Sequence, residues 1–196
     1  KFCGTTGEPL MNKQLLYAID RLHKDKYIRL FTNGIKLGEN ETNNDYLKTI
    51  AKVNSLNISL DAGTTFTLHK IKPGSKDISL ENILQASGLI KEFSKDIDLT
   101  ISYVITNENY SEILQAVKKY RHVCDRVRFR IDLTDRSVSQ EHSSEIIHAL
   151  GVAKDYETKN FKVVPIHTGE EISQSSSEYF SSRDSGLKCF TSRFWT

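Results

Sequence analysis

Short apolar runs alternate with amphipathic stretches along most of the chain, and this alternation predicts strands and helices in turn. The repeat is about 30 residues long, which is the size of one β/α unit. Such a pattern predicts an α/β fold, in which helices pack outside a parallel sheet. A (β/α) barrel and a doubly wound open sheet share this pattern, so the spacing leaves both open. The predicted strands occupy residues 2–5, 27–31, 56–60, 99–105, 126–133 and 161–166, and the predicted helices occupy residues 13–24, 45–53, 79–93, 109–120 and 143–153.

Helix starts are indicated by short polar side chains that accept hydrogen bonds from the first backbone amides. One of them is followed three residues later by a glutamate, which is the spacing of a capping box. The predicted caps are Asp45, Ser79, Asn109 with Glu112 as its capping-box partner, and Ser143 or Ser144.

The sequence changes character near residue 170, where a serine-rich stretch begins. We therefore predict one domain over residues 1–170. Residues 171–196 are predicted to be a serine-rich linker and the start of a C-terminal extension. The chain opens at Lys1 inside a strand-like run, so we expect it to be an interior piece of a longer protein.

The amino-acid composition limits which kinds of molecule we expect the protein to bind. The 196 residues are 38% hydrophobic and 27% charged, as in an ordinary globular protein. Since the net charge is only +2 and the basic residues are dispersed, no nucleic-acid partner is expected. No apolar run approaches the ~20 residues that span a bilayer, so no membrane contact is expected. The three cysteines are too far apart for a disulfide framework or a zinc pair, which favours a reducing, cytoplasmic location.

Polar residues follow three of the predicted strands, where functional side chains collect in parallel α/β folds. The first group contains glycines that allow a ligand to approach the backbone, although a plain turn has the same composition. The third group places polar side chains on one face of a buried strand, where they need internal partners or a ligand. The groups are Gly7, Glu8 and Pro9; Thr32 and Asn33; and Asn57, Ser59 and Asp61.

The fifth predicted strand has one charged face. Over residues 126–133, apolar side chains alternate with three arginines and Asp132. If both faces of this strand are covered, the charged face points into a polar or ligand-filled interior, because burying unpaired charge is costly. A solvent-exposed edge strand would show the same alternation.

These segments together resemble the radical S-adenosylmethionine superfamily. The segment Thr6-Gly7-Glu8-Pro9-Leu10 is similar to the family's glycine–glutamate–proline motif, and Thr32-Asn33-Gly34 is similar to a Thr-Asn-Gly after the next strand. The longest likeness covers residues 59–73 and begins Ser-Leu-Asp-Ala-Gly-Thr, ahead of a short helix. A later Asn-x-x-Glu-Ile helix start, at residues 109–113, also resembles the family. No single motif is specific to the family, but the order in which the motifs follow one another along the chain is.

The resemblance implies a partial parallel (β/α) barrel, truncated at its N-terminal side, that binds S-adenosylmethionine. It places Gly7 and Glu8 at the amino group of the cofactor, and Ser59 and Asp61 near its ribose or carboxylate. It leaves open which of two arginines pairs with the carboxylate, a group that a guanidinium fork matches. The residues implied at the cofactor are Gly7, Glu8, Pro9, Thr32, Asn33, Ser59, Asp61, Ser102, Arg128 and Arg130.

The resemblance also implies a [4Fe–4S] cluster, which thiolates ligate. The family's CxxxCxxC motif would lie upstream of Gly4, so this chain alone is expected to be inactive. In the parent, an electron donor would drive formation of a 5′-deoxyadenosyl radical, which abstracts hydrogen from a small-molecule or peptide substrate. The stretch at Cys189 resembles the first cysteine of a cysteine-rich (SPASM-like) auxiliary-cluster extension, and such an extension favours a peptide.

Two other functions fit the sequence. The first is a binding or regulatory module on the same fold that has no cluster, since the chain lacks the cluster cysteines. The second is an unrelated α/β enzyme whose Gly4–Pro9 turn binds a phosphate or sugar at a helix start. The Glu8 carboxylate argues against the second function, because it would repel phosphate. The sequence singles out no catalytic side chain.

Overall fold

The computed structural model describes residues 1–4, 7–39, 43–132 and 137–165. In this part of the chain, five parallel strands form one sheet in the order of the sequence. The strands are β1 (Arg29–Thr32), β2 (Ser55–Ser59), β3 (Asp98–Ile105), β4 (Arg126–Ile131) and β5 (Lys162–Pro165), and the helices are α1 (Leu15–Leu22), α2 (Asn44–Ile50), α3 (Thr65–Ile71), α4 (Leu80–Phe93), α5 (Ile113–Tyr120) and α6 (Ser137–Lys154). None of these helices is both long and apolar enough to cross a membrane.

The sequential strand order decides between the two architectures that the spacing left open. Each strand pairs with the next one along the chain, so the order never reverses. Crossovers between parallel strands are right-handed, and a sequential order therefore places the helices on one face of the sheet. Contacts of α1 with α2, of α2 with α4 and of α5 with α6 agree with such a single layer. A doubly wound sheet requires a reversal of order, so the fold is of the partial (β/α) barrel type.

The helix-covered face of the sheet is apolar and fully buried. Leu30, Leu56 and Leu99 lie in register on three adjacent strands, and none of them is exposed. Further along β3 and β4, the rings of Tyr103 and Phe129 pack with their centroids 5.2 Å apart. These side chains belong to one continuous core with the inner faces of the helices. Burial of this face is the main source of stability.

The opposite face of the sheet is polar, and no helix of the described chain is expected on it. Ser59, Ser102 and Arg128 occupy paired positions on β2, β3 and β4, so their side chains lie in one row. The Ser102 hydroxyl donates to Oδ1 of Asn57 at 3.0 Å. Because β4 pairs with both β3 and β5, its charged face is not that of an edge strand. We call this surface the open face.

The predicted first strand appears as a single parallel bridge beside β1. The Phe2 amide donates to the carbonyl of Arg29 at 2.8 Å, and the Phe31 amide donates to the carbonyl of Phe2 at 3.0 Å. This pairing brings residues 7–9 to the same edge of the sheet as the turn that follows β1. We call it the carboxyl edge, since the parallel strands end there.

Of the predicted helix caps, Ser79 is confirmed, because its hydroxyl accepts from the third amide of α4. The prediction of Asp45 was wrong. Asn43 caps α2 instead, and Asp45 lies in its first turn. The span Ser137–Lys154 consists of two helices joined across a kink at His142, and the second of them follows that kink, where Ser143 and Ser144 lie. Sequence patterns thus located the start of α4 but not that of α2.

Candidate functional site

Glu8 ties the first segment to the end of β1. Its carboxylate accepts hydrogen bonds from the amides of Leu10 (3.1 Å) and Asn33 (2.7 Å) and from the Thr32 hydroxyl. It thereby caps the short 3-10 helix Pro9–Met11. Since three protein donors already surround this carboxylate, the groups of the segment that remain for a ligand belong mainly to the backbone.

Two glycines beside Glu8 have different surroundings. A Cβ built on Gly4 would lie 1.3 Å from the carbonyl oxygen of Gly7, so a side chain there requires movement of the backbone. A Cβ built on Gly7 would have no atom of the described residues within 4 Å. Within that part of the chain, the backbone at Gly7 is uncovered, and a ligand can approach the main chain closely there.

The Thr32-Asn33-Gly34 turn is fixed by its own side chains. The Thr32 hydroxyl accepts from the Gly34 amide at 3.0 Å, and Oδ1 of Asn33 accepts from the Ile35 amide at 2.9 Å. Gly34 has a φ of 80°, and a Cβ on it would lie 2.6 Å from a methyl group of Ile58. This turn requires glycine for both its conformation and its packing.

Tyr46, on α2, brings a hydroxyl close to Glu8. The hydroxyl is buried and has no hydrogen-bond partner among the described residues. Burial, together with the negative charges of Glu8 and Glu39, raises the pKa of Tyr46 to about 12. The phenol is therefore protonated at neutral pH.

Asp61 joins the ends of β2 and β3. Its Oδ1 accepts from the Val104 amide at 2.8 Å, and its Oδ2 lies 3.1 Å from Nζ of Lys72 and 3.2 Å from the Ser59 hydroxyl, which donates to it. Its carbonyl accepts from the side-chain amide of Asn109 at 2.8 Å. Asp61 has a φ of 59°, so the chain leaves the strand here and the predicted alternation stops at Ser59.

Asn109 and Glu112 do not form the predicted capping box. Asn109 caps no helix with its side chain, which is fully buried between the ends of β2 and β3. The Glu112 carboxylate accepts from the amides of Gly63 (2.7 Å) and Thr64 (3.2 Å) and from the hydroxyls of Thr64 (2.8 Å) and Thr67 (2.7 Å). Thr64 is the cap of α3, and Glu112 holds this cap and the loop before it from more than 40 residues further along the chain. The i, i+3 spacing gave no sign of these distant partners.

Two buried tyrosines brace the same loops. The Tyr103 hydroxyl donates to the carbonyl of Asn109 at 2.8 Å, and the Tyr120 hydroxyl donates to the carbonyl of Ala62. Burial raises the pKa of both phenols, so they act as hydrogen-bond donors and not as titrating groups. Neither tyrosine was identified from the sequence, because nothing local marks a tyrosine whose partner lies in another loop.

The charged face of β4 is where the predicted arginines lie. Arg126 forms an ion pair with Asp98 at 2.9 Å. For Arg128, which is half-buried, and Arg130, which is exposed, the structure contains no ion pair or hydrogen bond within the described ranges. Their guanidinium groups remain available to a ligand. Arg128 shares its row with Ser59 and Ser102.

The predicted site residues thus form two groups at the carboxyl edge and on the open face. Their assigned roles at a cofactor stay predictions. The first group surrounds the Glu8 carboxylate and contains Gly7, Glu8, Pro9, Thr32 and Asn33. The second group runs across β2, β3 and β4 and contains Ser59, Asp61, Ser102, Arg128 and Arg130.

No set of three His, Cys, Asp or Glu side chains in the described part of the chain could hold a metal ion. Cys3 is exposed, whereas Cys124 is buried and its thiol contacts the carbonyl of Tyr120 at 3.2 Å. Burial raises the pKa of the Cys124 thiol well above its usual range, which disfavours a thiolate. Cys189 and the predicted extension lie outside the described residues. The described residues therefore do not fit an iron–sulfur cluster.

Comparison with known protein families gives a match over the first part of the chain. The family model of the radical SAM superfamily matches residues 1–120, which is more than half of the chain and includes every strand-end motif from Gly7 to Glu112. No curated protein matches the sequence. The alternative of an unrelated α/β enzyme is therefore wrong. Members of the matched family use S-adenosylmethionine with a [4Fe–4S] cluster. The family match and the sequential, barrel-type sheet of this chain agree, and the chain belongs to the radical SAM superfamily.

Proposed function

We propose that this chain provides the S-adenosylmethionine-binding part of a radical enzyme, whose cluster cysteines come from outside this sequence. The sequence contains no CxxxCxxC spacing, so it does not provide those ligands itself. When bound, the cofactor and a reduced cluster supply one-electron chemistry that removes a hydrogen atom from a substrate. The residues of this chain bind and orient the cofactor.

The observation that carries this proposal is the open backbone at Gly7 within the segment that matches the family. The neighbouring Glu8 carboxylate is held by the turn after β1, so the Gly7 main chain has a defined position relative to the sheet. An uncovered main chain suits the polar end of an amino-acid-like ligand, because its amide N–H groups donate to carboxylate and its carbonyl groups accept from ammonium.

The row on the open face supports the same assignment. Ser59, Ser102 and Arg128 lie in register across three strands. Two hydroxyls beside an unpaired guanidinium suit a ligand that carries a carboxylate and a ribose. The Ser102 hydroxyl already donates to Asn57, so its remaining capacity is to accept.

Binding of S-adenosylmethionine to the full-length, cluster-loaded protein tests the proposal. Gly7→Ala adds a methyl group where the protein itself has room, and we expect it to weaken cofactor binding at least about tenfold, since every 1.4 kcal/mol is tenfold. Gly151→Ala is the matched control, because its methyl group also meets no atom and lies on α6. Equal affinities for the two variants, by isothermal titration calorimetry under anaerobic conditions, would contradict the proposal. Absence of 5′-deoxyadenosine from the wild-type reaction would contradict the radical chemistry.

A binding or regulatory module without a cluster is the second candidate. The observation that favours it is the same lack of a CxxxCxxC spacing. Iron analysis of the native protein, purified anaerobically, separates the two candidates. Four irons for each chain exclude the module, and an iron-free native protein that still binds S-adenosylmethionine supports it.

A further inference from the structure

The acidic side chains at the carboxyl edge all have hydrogen-bond or ion-pair partners within the protein. The Glu8 carboxylate has three donors, Asp61 has Lys72 and a backbone amide, and Glu112 has four donors. Each of these acids is therefore occupied by the protein itself. None of them is a counter-ion for the arginines of β4.

Within the residues that the structure describes, neither Arg128 nor Arg130 has an ion pair or a hydrogen bond. They lie two residues apart on one strand and therefore on one face, with backbones about 7 Å apart. Arg126, the third arginine of the strand, pairs with Asp98 and differs in this respect. The neighbours of Arg128 and Arg130 in register on β3 are Ser102 and Val104, which carry no charge. Along the chain, the acid nearest to Arg130 is Asp132, two residues further on.

One cofactor does not neutralise two guanidinium groups. S-adenosylmethionine has a single carboxylate, which one arginine fills in bidentate geometry, and its ammonium and sulfonium groups are positive. If Arg128 takes that carboxylate beside the two serines, Arg130 still faces the open side of the sheet without a counter-ion. Arg130 also lies closer to the end of β4, at Ile131, than Arg128 does.

From these charges we infer that the substrate carries an anionic group, a carboxylate or a phosphate, and that Arg130 binds it. The inference rests on the proposed function, since it assigns the substrate class of the same site. A planar fork of donors suits either oxyanion. Arg130 is then a specificity-determining residue, because a substrate without the negative charge loses its partner.

Titration of the full-length, S-adenosylmethionine-saturated protein with inorganic phosphate or succinate, at constant ionic strength, tests the inference. With the cofactor carboxylate already bound, we expect saturable binding of one of these probes to the wild type. Arg130→Gln should weaken that binding at least about tenfold, equivalent to 1.4 kcal/mol, and change cofactor affinity less than about twofold. Arg126→Gln, on the same strand and face, should leave both affinities unchanged. Saturable binding of succinate identifies the anionic group as a carboxylate, and saturable binding of inorganic phosphate identifies it as a phosphate.

Three results would overturn the inference: no saturable anion binding, equal binding by wild type and Arg130→Gln, or a loss of cofactor affinity in Arg130→Gln in place of the anion. Failure of the proposed function looks different. A wild type that does not bind S-adenosylmethionine but binds the anion through Arg130 contradicts the cofactor assignment and retains the anion subsite. The urea midpoint of each variant shows that it is folded, which the exposure of Arg130 leads us to expect.

Discussion

Strand β4 has two faces that differ in what surrounds them. Val127, Phe129 and Ile131 are buried against the helices, and Phe129 also contacts Tyr103. On the other face, Arg128 and Arg130 have no partner that the structure describes. The first face is saturated with contacts inside the protein, whereas the second is not. Side chains whose contacts are complete stabilise the fold, whereas charged side chains without a partner in the described ranges indicate where a ligand can bind.

The largest expected effect comes from the buried face. Phe129→Ala removes a ring that is 1% exposed and should lower the free energy of unfolding by about 3–5 kcal/mol, because the core closes over the cavity only in part. Arg130→Gln, one residue along the same strand, should change it by less than about 0.5 kcal/mol. Urea unfolding followed by circular dichroism measures both. Similar losses for the two variants would mean that the faces do not differ as described.

Two glycines, Gly34 and Gly7, differ in the same way, because one has a packed backbone and the other an uncovered one. Gly34→Ala should cost at least about 2 kcal/mol of stability, because it combines a left-handed backbone with a methyl group 2.6 Å from Ile58. Gly7→Ala should cost less than about 0.5 kcal/mol, since its methyl group meets nothing. Thermal unfolding of the two variants without cofactor is the measurement. A large loss in Gly7→Ala would show that this backbone is packed and not open.

The loss of stability expected on substitution of Asp61 lies between the large and the small losses given above. Asp61→Ala leaves Lys72 and the Val104 amide without their acceptor and should cost about 1–3 kcal/mol. Asp61→Asn keeps an oxygen for the amide and tolerates a positive φ, so it should cost less. Chemical unfolding at neutral pH ranks the two. An asparagine variant as unstable as the alanine variant would assign the whole effect to the charge.

The smallest effect is expected at Tyr46. Tyr46→Phe removes a buried hydroxyl that has no partner in the described ranges, and it should leave stability at pH 7 unchanged within about 0.5 kcal/mol or raise it. The pKa of Tyr46 is raised to about 12, so its contribution is complete below the unfolded pKa near 10 and is lost as pH rises toward 12. Unfolding measured from pH 9 to 12 should therefore fall less steeply in the variant. An identical slope would contradict the raised pKa.

Much of the fold was predictable because its signals are local. Every predicted strand from residue 27 onward is confirmed within a few residues, and the alternation on β4 identified its buried and charged faces correctly. The local pattern did not predict the strand order, since sequential and doubly wound sheets share it. The resemblance to the radical SAM superfamily did predict a barrel-type sheet, and this prediction is confirmed. Boundaries moved because capping depends on which of several neighbouring polar residues points back at the helix, as with Asn43 in place of Asp45.

The site was less predictable, for a physical reason. Sequence patterns found the residues at the strand ends but not what each side chain contacts. Glu8 and Asp61 were predicted at a ligand, and the structure shows both holding neighbouring loops through bonds to residues 24 to 43 positions away. Contacts of this range have no local signature. The alternation on β4 was enough to place the arginines on one face, and their role stays a prediction.

The hydrogen bonds of Glu112 to the loop before α3 have a consequence for the order in which the chain matures during synthesis. The loop after β2 receives its last hydrogen bonds from Glu112 and Tyr120, which leave the ribosome about 50 residues later. The unit that contains β2 and α3 is in this sense completed by the unit that follows it. A nascent chain released before residue 120 should therefore keep an unfinished loop exposed to proteases, and one released after it should not.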